Sequence, residues 1–437
     1  MQIKDHSGLE YSGAGHTALD HYLAGLTEFQ RYTGDPVAAM DRALADSPDF
    51  AMAYMAKAYM LAIGTNPSVQ QMAGVAYEAA SGLPMNERER AHLKVLGLFF
   101  SGEIRAAGRV LEDIAIAWPR DVLALQVGQL ADFLVGDSRM LRDRIARALP
   151  AWSPAMPDWH AVQSLLAFGL EECGDYARAE AAGLESLAHD RRNTWAHHAV
   201  AHCFEMQGRR REGAAWMRSL MPDWSVDSSF AVHNSWHLAL FHLGLGEIDE
   251  TLRLYDGPIY GTPSDMDFDM VDASAMLWRL HLRGIDVGDR WQAIADTYEG
   301  VMHASTYAFS DAHAMMAFVG AGREQNQAIV LEAQRLALEG PGDNVRFIGE
   351  VGGPVTRAIQ AFGRARYGEA VELLRPVRNR AAIFGGSHAQ RDLIDLTLIE
   401  AARRDGQQAL AAALEAERAF VKGLGESAAG RGLDRAA

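Results

Sequence analysis

A ladder of regularly spaced glycines runs through this sequence and limits what the chain can fold into. Its members are separated by 34 or 38 residues, with one longer step before the last two: Gly64, Gly102, Gly136, Gly174, Gly208, Gly246, Gly284, Gly322, Gly368 and Gly406. Many of them precede an amphipathic run rich in alanine or leucine, as at Gly174 and Gly368. A glycine in this position lets the chain adopt the left-handed conformation that ends one helix before the next begins.

A period near 34 residues with two helices in each repeat is the signature of tetratricopeptide arrays. Apolar residues at helical spacing fill the chain, and no long alternating pattern predicts β-strands. We therefore predict an all-α fold, a tetratricopeptide-like α-solenoid of antiparallel helix pairs curled into a compact superhelix. Its expected parts are N-terminal repeats over 1–150, central repeats carrying the site over 151–330 and closing repeats over 331–437. Glycine and proline at 340–342 and 349–354 predict a loop region near the last boundary.

The composition limits the class of protein and of partner. The 437 residues carry a formal net charge of −16, which argues against nucleic acid or an anionic membrane as partner. No apolar run is long enough to span a bilayer, and the N-terminus lacks a secretory signal pattern. Only two cysteines occur, Cys173 and Cys203, which fits a reducing compartment. We predict a cytoplasmic protein without nucleic-acid or membrane partners, and leave open whether it forms a homo-oligomer.

Two pairs of histidines at helical spacing are the strongest indication of a functional site. His198 and His202 are four residues apart, as are His233 and His237, so each pair lies on one face of a helix. Glu205 completes the first face. Imidazoles and a carboxylate grouped in this way can bind a metal such as zinc, iron or manganese, act on a small ligand, or form a structural hydrogen-bond network. The sequence leaves these three interpretations open.

The absence of two kinds of motif limits the reactions and cofactors that we expect. The zinc-protease motif requires glutamate directly after the first histidine, where this chain has Ala199, so that chemistry is excluded. Neither a Walker-type phosphate loop nor a dinucleotide-binding glycine pattern occurs, so no nucleotide cofactor is expected. Cys203 points about 100° away from His202 on the helix, and we expect a packed core thiol there rather than a catalytic pair.

Other polar residues precede later ladder glycines, which places them on the first helix of successive repeats. That helix usually lines the concave face of a solenoid. We predict catalytic or proton-carrying roles for His198, His202, Glu205, His233, His237, Asp272, Asp311 and His313, with a divalent metal at the four paired histidines as one option. We predict substrate contacts for Asn234, Trp236, Asp269, Arg279, Gln390 and Arg391. Among these, the Arg279 guanidinium would hold a substrate anion.

Several of these residues also have a structural interpretation. Asp269 could favour the start of its helix through the helix dipole, and Asp311 could be a first-turn acid. Ser387 and Gln390 fit a capping box, which we favour. The helix start beside Arg391 could instead bind an anion.

An ordered series of motifs covers nearly all of the chain. It comprises Asn86-Glu-Arg-Glu-Arg-Ala-His92, His198-x-x-x-His202-x-x-Glu205-Met206, His233-Asn234-x-Trp236-His237, Tyr255-Asp256, Asp269-Met-Val-Asp272-x-Ser274, Leu277-x-Arg279-Leu280, Val287-Gly288-x-Arg290-Trp291, Asp311-Ala-His313 and Gly385-Gly-Ser387-His-Ala-Gln390-Arg391-Asp392. In these motifs the chain resembles the tetratricopeptide repeat protein 38 family. The resemblance implies a helical-repeat fold and no settled biochemical activity. His197 lies outside the pattern.

Two functions from different classes fit these observations. The first is a small-molecule enzyme, a hydrolase or lyase, that works by acid/base or metal-assisted hydrolysis or elimination in a concave pocket. The alternative is an adaptor that binds a protein or peptide partner and uses the histidines as a structural network. An adaptor that holds a peptide carboxylate would favour lysine and asparagine on these helices, whereas this chain has histidines and acids there. We therefore favour the enzyme.

Overall fold

The computed structural model describes residues 3–62, 67–301 and 304–423, and this part of the chain is built from α-helices. Two short strands, β1 (Ile3–Lys4) and β2 (Glu10–Tyr11), precede the first helix and pair antiparallel, with Ile3 opposite Tyr11. None of the helices in these ranges combines the length and the apolar composition that a membrane span requires.

The helices follow one another with short connections. The first ten are α1 (His16–Arg31), α2 (Pro36–Asp46), α3 (Ala51–Ala62), α4 (Pro67–Ser81), α5 (Glu87–Phe100), α6 (Ile104–Ala117), α7 (Val122–Leu134), α8 (Ser138–Ala148), α9 (Trp159–Glu171) and α10 (Tyr176–His189). The next seven are α11 (Thr194–Met206), α12 (Arg210–Ser219), α13 (Met221–Ser225), α14 (Ala231–Leu245), α15 (Ile248–Leu254), α16 (Asp267–Leu282) and α17 (Arg290–Val301). The last seven are α18 (Ala308–Gly320), α19 (Glu324–Ala337), α20 (Asn344–Phe347), α21 (Gly353–Gly363), α22 (Tyr367–Leu374), α23 (His388–Arg404) and α24 (Gln408–Val421). Shorter 3₁₀ or π-helical turns lie at Leu149–Ala151, Tyr255–Ile259, Ile348–Gly352 and Arg378–Phe384.

This architecture confirms the prediction of an all-α, tetratricopeptide-like array of helix pairs. Most ladder glycines do what the spacing predicts, with φ between 65° and 80° at Gly102, Gly136, Gly174, Gly208, Gly246, Gly284, Gly322 and Gly406. Residues with a side chain rarely adopt that conformation, so these positions favour glycine at the turn between two helices. Gly64 lies outside the described residues.

Two details of the predicted pattern are wrong. Gly368 is the second residue of α22, and the left-handed turn before that helix is made by Ala365 instead, with φ 56°. The segment 349–354 is helical rather than a loop. Pro354 is compatible with a helix here because it lies in the first turn of α21, where a missing backbone N–H costs no hydrogen bond. A Cβ on Gly352 would lie 2.5 Å from the Cβ of Ala308, so this glycine permits close helix packing.

Within the described part, the chain divides into two compact units. The first comprises residues up to Val200 together with Leu220–Asn234, and the second comprises Ala201–Ser219 together with residues from Ser235 onward. The division falls inside α11 and α14, each of which is one continuous helix.

In the first unit, each helix from α1 to α10 packs against the next one along the chain, as in other helical repeats. The N-terminal part of its core is aromatic, with the rings of Tyr11, Tyr22 and Phe50 lying 5.1 to 5.8 Å apart. The Gln126 side chain on α7 donates to the carbonyl of Phe29 on α1 at 3.1 Å, which ties helices that are distant in sequence.

In the second unit, four helices form a closed ring: α16 packs on α18, α18 on α21, α21 on α23, and α23 again on α16. A buried hydrogen bond closes the ring, because the indole N–H of Trp278 donates to Thr397 Oγ1 at 2.9 Å. The side chains that face the centre of this four-helix ring are therefore packed against each other.

Candidate functional site

The two histidine-bearing helices are tied together near their first turns. Asn193 caps α11, since its side-chain oxygen accepts from the backbone N–H of Ala196 at 3.0 Å. Asn234 on α14 donates from its side-chain amide to the carbonyl of Thr194 at 3.3 Å. Asn234, which the sequence predicted to contact a substrate, thus contributes a side-chain to backbone bond between α14 and α11.

The first unit brings His198 and His233 together. Their Nε2 atoms are 3.1 Å apart and each residue is 3% exposed. Aromatic rings fix the orientation of His198, with centroid distances of 4.7 Å to Trp195, 5.1 Å to Phe230 and 5.3 Å to Phe168. We call the His198–His233 pair the first rung.

The second unit contains its own pair of histidines. The rings of His202 and His237 have centroids 4.5 Å apart, and both residues are fully buried. The Trp236 ring packs edge-on against His237, with centroids 5.0 Å apart. We call the His202–His237 pair the second rung. In both rungs the two ligand nitrogens lie within 4.8 Å of each other, which is close enough for a shared proton or a shared ion.

His197 and Cys203, which the sequence sets outside the histidine pairs, have surroundings of their own. The Nε2–H of His197 donates to the carbonyl of Arg191 at 2.9 Å. The Cys203 thiol is fully buried.

Glu205 belongs to a buried ion cluster in the second unit. Its carboxylate accepts from Lys422 Nζ at 2.8 Å, and the same ammonium lies 3.1 Å from Asp392. Asp392 also accepts two hydrogen bonds from Arg418, at 2.6 and 2.7 Å. Burial alone would raise the pKa of Glu205, but the charge and hydrogen bond of Lys422, together with the charge of Arg210, lower this pKa below its usual value. Glu205 is therefore ionised.

Arg279 is buried against main-chain carbonyls rather than a carboxylate. Its guanidinium donates to the carbonyl of Ala389 at 2.7 Å and to that of Ala275 at 3.3 Å. It lies 5.2 Å from the centre of the Trp236 ring, a cation–π distance. Burial lowers the pKa of Arg279 to about 10, with Asp392 and Glu205 opposing that shift. Arg279 and Trp236, both predicted to contact substrate, thus contact each other.

The two predicted carboxylates of α16 differ in their surroundings. Asp272 is fully buried in the middle of the helix. Asp269 lies in its first turn, where its carboxylate accepts from the Ser264 hydroxyl at 2.7 Å. That position fits the expected contribution of an acid to the helix start.

Asp311 and His313 lie on α18 and are both buried. Asp311, a first-turn acid as expected, accepts from Ser305 Oγ at 2.5 Å and from Gln334 Nε2 at 2.9 Å. Burial raises the pKa of Asp311 to about 7, despite these two hydrogen bonds. Burial lowers the pKa of His313 to about 4, although the carbonyl of Phe309, 2.8 Å from Nδ1, favours the protonated ring. His313 is therefore neutral, with a proton on Nδ1 and a lone pair on Nε2.

The helix start at Ser387 is a capping box, as predicted. The Ser387 hydroxyl accepts from the backbone N–H of Gln390 at 3.2 Å, and the Gln390 side chain accepts from the N–H of Ser387 at 2.9 Å. Arg391 donates to the carbonyl of Gly386. Gln390 and Arg391 also line a cavity beside His313 whose volume is about 10 Å³, enough for one water molecule.

A larger cavity lies in the first unit and contains none of the predicted site residues. It is an open groove of about 520 Å³ on α6 and α8. Its lining consists of Glu112, Ala115, Ile116, Pro119, Arg144, Arg147, Pro150 and Ala151.

No protein-family model matches the chain. Solved structures with a similar arrangement include the Cut9–Hcn1 hetero-tetramer of the APC/C, with 12% identity and a TM-score of 0.39 over 87% of this chain and 76% of that one. Yeast Tom70 has 10% identity and a TM-score of 0.42, covering 90% and 96% of the two chains. The TPR domain of P58(IPK) has 15% identity and a TM-score of 0.20, covering 90% and 99%. The function of this chain does not follow from likeness at this level.

Sequence reasoning missed Lys422, which directly follows α24 and is 3% exposed. A single lysine near the end of an amphipathic helix is normally solvated, and no local pattern marks it. Asp392 did stand in the motif series, and its role is now explained by Lys422 and Arg418.

A second missed network lies in the first unit. The Tyr59 hydroxyl is 3.1 Å from His92 Nδ1, His92 Nε2 is 3.0 Å from Asp121, and Arg88 donates to the same Asp121 oxygen at 2.6 Å. Burial alone would raise the pKa of Asp121, but His92 and Arg88 hold it well below its usual range. Asp121 is also the N-cap of α7, so the network anchors a helix start.

Proposed function

We propose that this chain is a helical-repeat scaffold that binds a protein or peptide partner. The observation that supports this most is burial. Of the fourteen side chains predicted for a site, twelve are buried, the exceptions being Asp269 and Arg391. A substrate site needs such groups on the wall of a cavity.

The buried groups also contribute bonds between parts of the protein. Arg279 reaches from α16 to the first turn of α23, Asp311 binds the Gln334 side chain of α19, and Glu205 binds Lys422 at the end of α24. Because each of these bonds joins separate helices, they support a role in holding the repeats in place. The surface of the repeats is then left for recognition.

The charge of the chain indicates what kind of partner would fit. A formal net charge of −16 favours a partner with a basic surface and disfavours an acidic one. Association with such a partner would weaken as the salt concentration rises.

Native mass spectrometry of the protein, tagged at its own locus and purified at low salt, tests the proposal. We expect a complex containing a second protein, which reassembles from purified components and dissociates at high salt. Asp311→Asn is the matched interior variant, and it should bind the purified partner with unchanged affinity. A chain that carries only a small molecule and no protein would contradict the proposal.

A second function, acid/base chemistry on a small molecule, is favoured by one observation. The environments of Asp311 and His313 move their pKa values in opposite directions, to about 7 and about 4. Catalytic acids and bases are often tuned by burial in this way. Asp311 would act as the base and the neutral His313 as a hydrogen-bond acceptor.

A panel of ester, amide and hydroxy-acid compounds tests this second function. Turnover should increase with pH as Asp311 ionises, and should be lost in both Asp311→Asn and His313→Gln. The control is Asp269→Asn, in the first turn of α16, which should retain turnover. Turnover that survives Asp311→Asn would contradict this function.

A further inference from the structure

We propose that two arginines of the second unit, Arg210 and Arg283, bind the phosphate group of a phosphate monoester. Arg279, in the same unit, adds positive charge to this site. We call these three residues the basic cluster. The site is separate from both functions proposed above and is compatible with either of them. It rests on the convergence of the guanidinium groups, on their lack of carboxylate partners and on their access to solvent.

Arg210 and Arg283 reach the same place from different helices. Arg210 is the first residue of α12, and Arg283 directly follows α16. Arg210 Nη1 donates to the carbonyl of Gly244 at 3.1 Å, and Arg283 Nη1 donates to the carbonyl of Leu243 at 2.6 Å. These carbonyls belong to consecutive residues in the last turn of α14, and both point past its end. The two guanidinium groups therefore lie close to each other.

Gly244 makes room for one of these two side chains. A Cβ at this position would lie 2.5 Å from both Cδ and Nε of Arg210. The Arg210 side chain thus occupies the space that a larger residue would fill. Binding the helix end accounts for one hydrogen bond from each arginine. Because a guanidinium group has five N–H donors, both arginines keep donors for a ligand.

The carboxylates near the basic cluster are engaged elsewhere. Lys422 lies 2.8 Å from Glu205 and 3.1 Å from Asp392, and Arg418 lies 2.6 Å from Asp392. In the part of the chain that the structure describes, no arginine of the basic cluster lies within 4.0 Å of a carboxylate oxygen. Their positive charge is therefore left for a ligand to neutralise.

The positive charges of the basic cluster also repel one another. Arg279 lies four residues before Arg283, on the same face of α16, and is 3% exposed. Partial burial, together with repulsion from Arg210, Arg418 and Arg279, lowers the pKa of Arg283 to about 10. A bound anion would relieve this repulsion. Arg283 is exposed and Arg210 is half-buried, so a ligand can reach both from solvent.

The number of charges favours phosphate over carboxylate. The guanidinium fork binds both groups through paired hydrogen bonds. A phosphate monoester carries about 1.5 to 2 negative charges and three acceptor oxygens near neutral pH, which suits two guanidinium groups. A carboxylate has one charge and two oxygens. The net charge of −16 does not oppose binding here, because salt screens charges more than about 8 Å away.

Calorimetric titration of the full-length, untagged protein in a phosphate-free buffer tests the proposal. The probes are sodium phosphate, phenyl phosphate, a short phosphoserine peptide and sodium acetate. We expect the three phosphate probes to bind, and acetate to bind at least about tenfold more weakly. Tighter binding of phenyl phosphate would support a small phosphorylated compound as ligand, and tighter binding of the peptide would support a phosphorylated protein segment. Acetate binding as tight as phosphate binding, or no phosphate binding at millimolar concentration, would overturn the proposal.

Variants locate the site. Arg210→Gln and Arg283→Gln should each weaken phosphate binding at least about tenfold, because each removes a charged donor. Arg283→Lys keeps the charge without the fork and should lose less. The control is Arg335→Gln, which removes the same charge from an exposed arginine of α19 that pairs with Glu332. Unchanged affinity in both glutamine variants of the basic cluster, or an equal loss in the control, would overturn the assignment.

A second measurement applies if Arg210→Gln fails to fold. Sodium phosphate is then added to the wild-type protein with ¹⁵N-labelled arginine, and the Nε resonances are followed by NMR. Those of Arg210 and Arg283 should shift on binding, while that of Arg335 stays in place. Shifts confined to arginines outside the basic cluster would contradict the proposal.

Discussion

Lys422 donates a buried hydrogen bond to Glu205, a residue 217 positions earlier in the chain. The contact joins the end of α24 to the last turn of α11, next to the second rung in sequence. Removing one partner of a buried ion pair leaves an uncompensated charge and costs about 3–5 kcal/mol. We therefore expect Lys422→Met to lower the free energy of unfolding by about that amount, as measured by urea denaturation.

The matched control for this variant is Lys57→Met. Lys57 pairs with Asp41, whose side chain is 54% exposed. An exposed pair contributes about 0–1 kcal/mol, so this variant should change stability by less than 1 kcal/mol. Equal effects of the two substitutions would show that the Lys422 contact does not stabilise the protein.

Much of the fold follows from the sequence, because glycine spacing reports a backbone requirement. Gly102 and Gly246 adopt the left-handed conformation that the period predicts. Gly368 shares the period but not the conformation, since Ala365 makes that turn. Period alone cannot separate a glycine needed for its φ angle from one needed for close packing, and Gly352 is an example of the latter.

The candidate site was predictable only where its residues interact locally. Helical spacing predicts that His198 and His202 share one face, since both lie in the helix α11, and the capping box of Ser387 and Gln390 is a contact within four residues. The exposure of the site depends on contacts between distant segments, such as that of α16 with α23. No local pattern carries that information, which is why Arg279 was expected to face a ligand and instead binds the carbonyl of Ala389.

Asp311 should make the protein less stable as the pH rises. Its pKa is about 7 in the folded state and about 3.9 when unfolded. Between these values the folded protein holds a proton that the unfolded chain has lost, so stability decreases with rising pH by up to about 1.4 kcal/mol per unit. Asp311→Asn should flatten the pH dependence of the urea midpoint between pH 4 and 7. An unchanged slope, with Asp41→Asn as surface control, would contradict this.

His313 should resist protonation. Its pKa is about 4 in the folded state, against about 6.5 when unfolded. The stability linked to this residue is fully present above about pH 6.5 and is lost as the pH falls towards about 4. NMR titration should show one imidazole that stays neutral at pH 5, and His313→Gln should remove that resonance. A pKa of about 6.5 for His313 would show instead that its ring is open to water.

The bond that closes the ring of the second unit should be costly to remove. Thr397→Val keeps the side-chain shape but leaves the buried indole N–H of Trp278 without its acceptor. An unsatisfied buried donor costs about 1–3 kcal/mol. We expect a loss of stability in that range by denaturant titration, together with a changed tryptophan emission. Thr397→Ser keeps the hydroxyl and should lose less stability than Thr397→Val. A larger loss in Thr397→Ser would show that the hydrogen bond to Trp278 is not the stabilising contact.

Hydrogen–deuterium exchange at the imidazole carbon, read by mass spectrometry, tests most directly whether the predicted site is interior. His198, His202, His233, His237 and His313 are buried, whereas His16 and His388 are exposed. We predict exchange at the five buried rings that is roughly tenfold or more slower than at the two exposed ones, because exchange then requires local opening. Equal rates in the two groups would show that these histidines line an open pocket, and would contradict the scaffold function proposed for this chain.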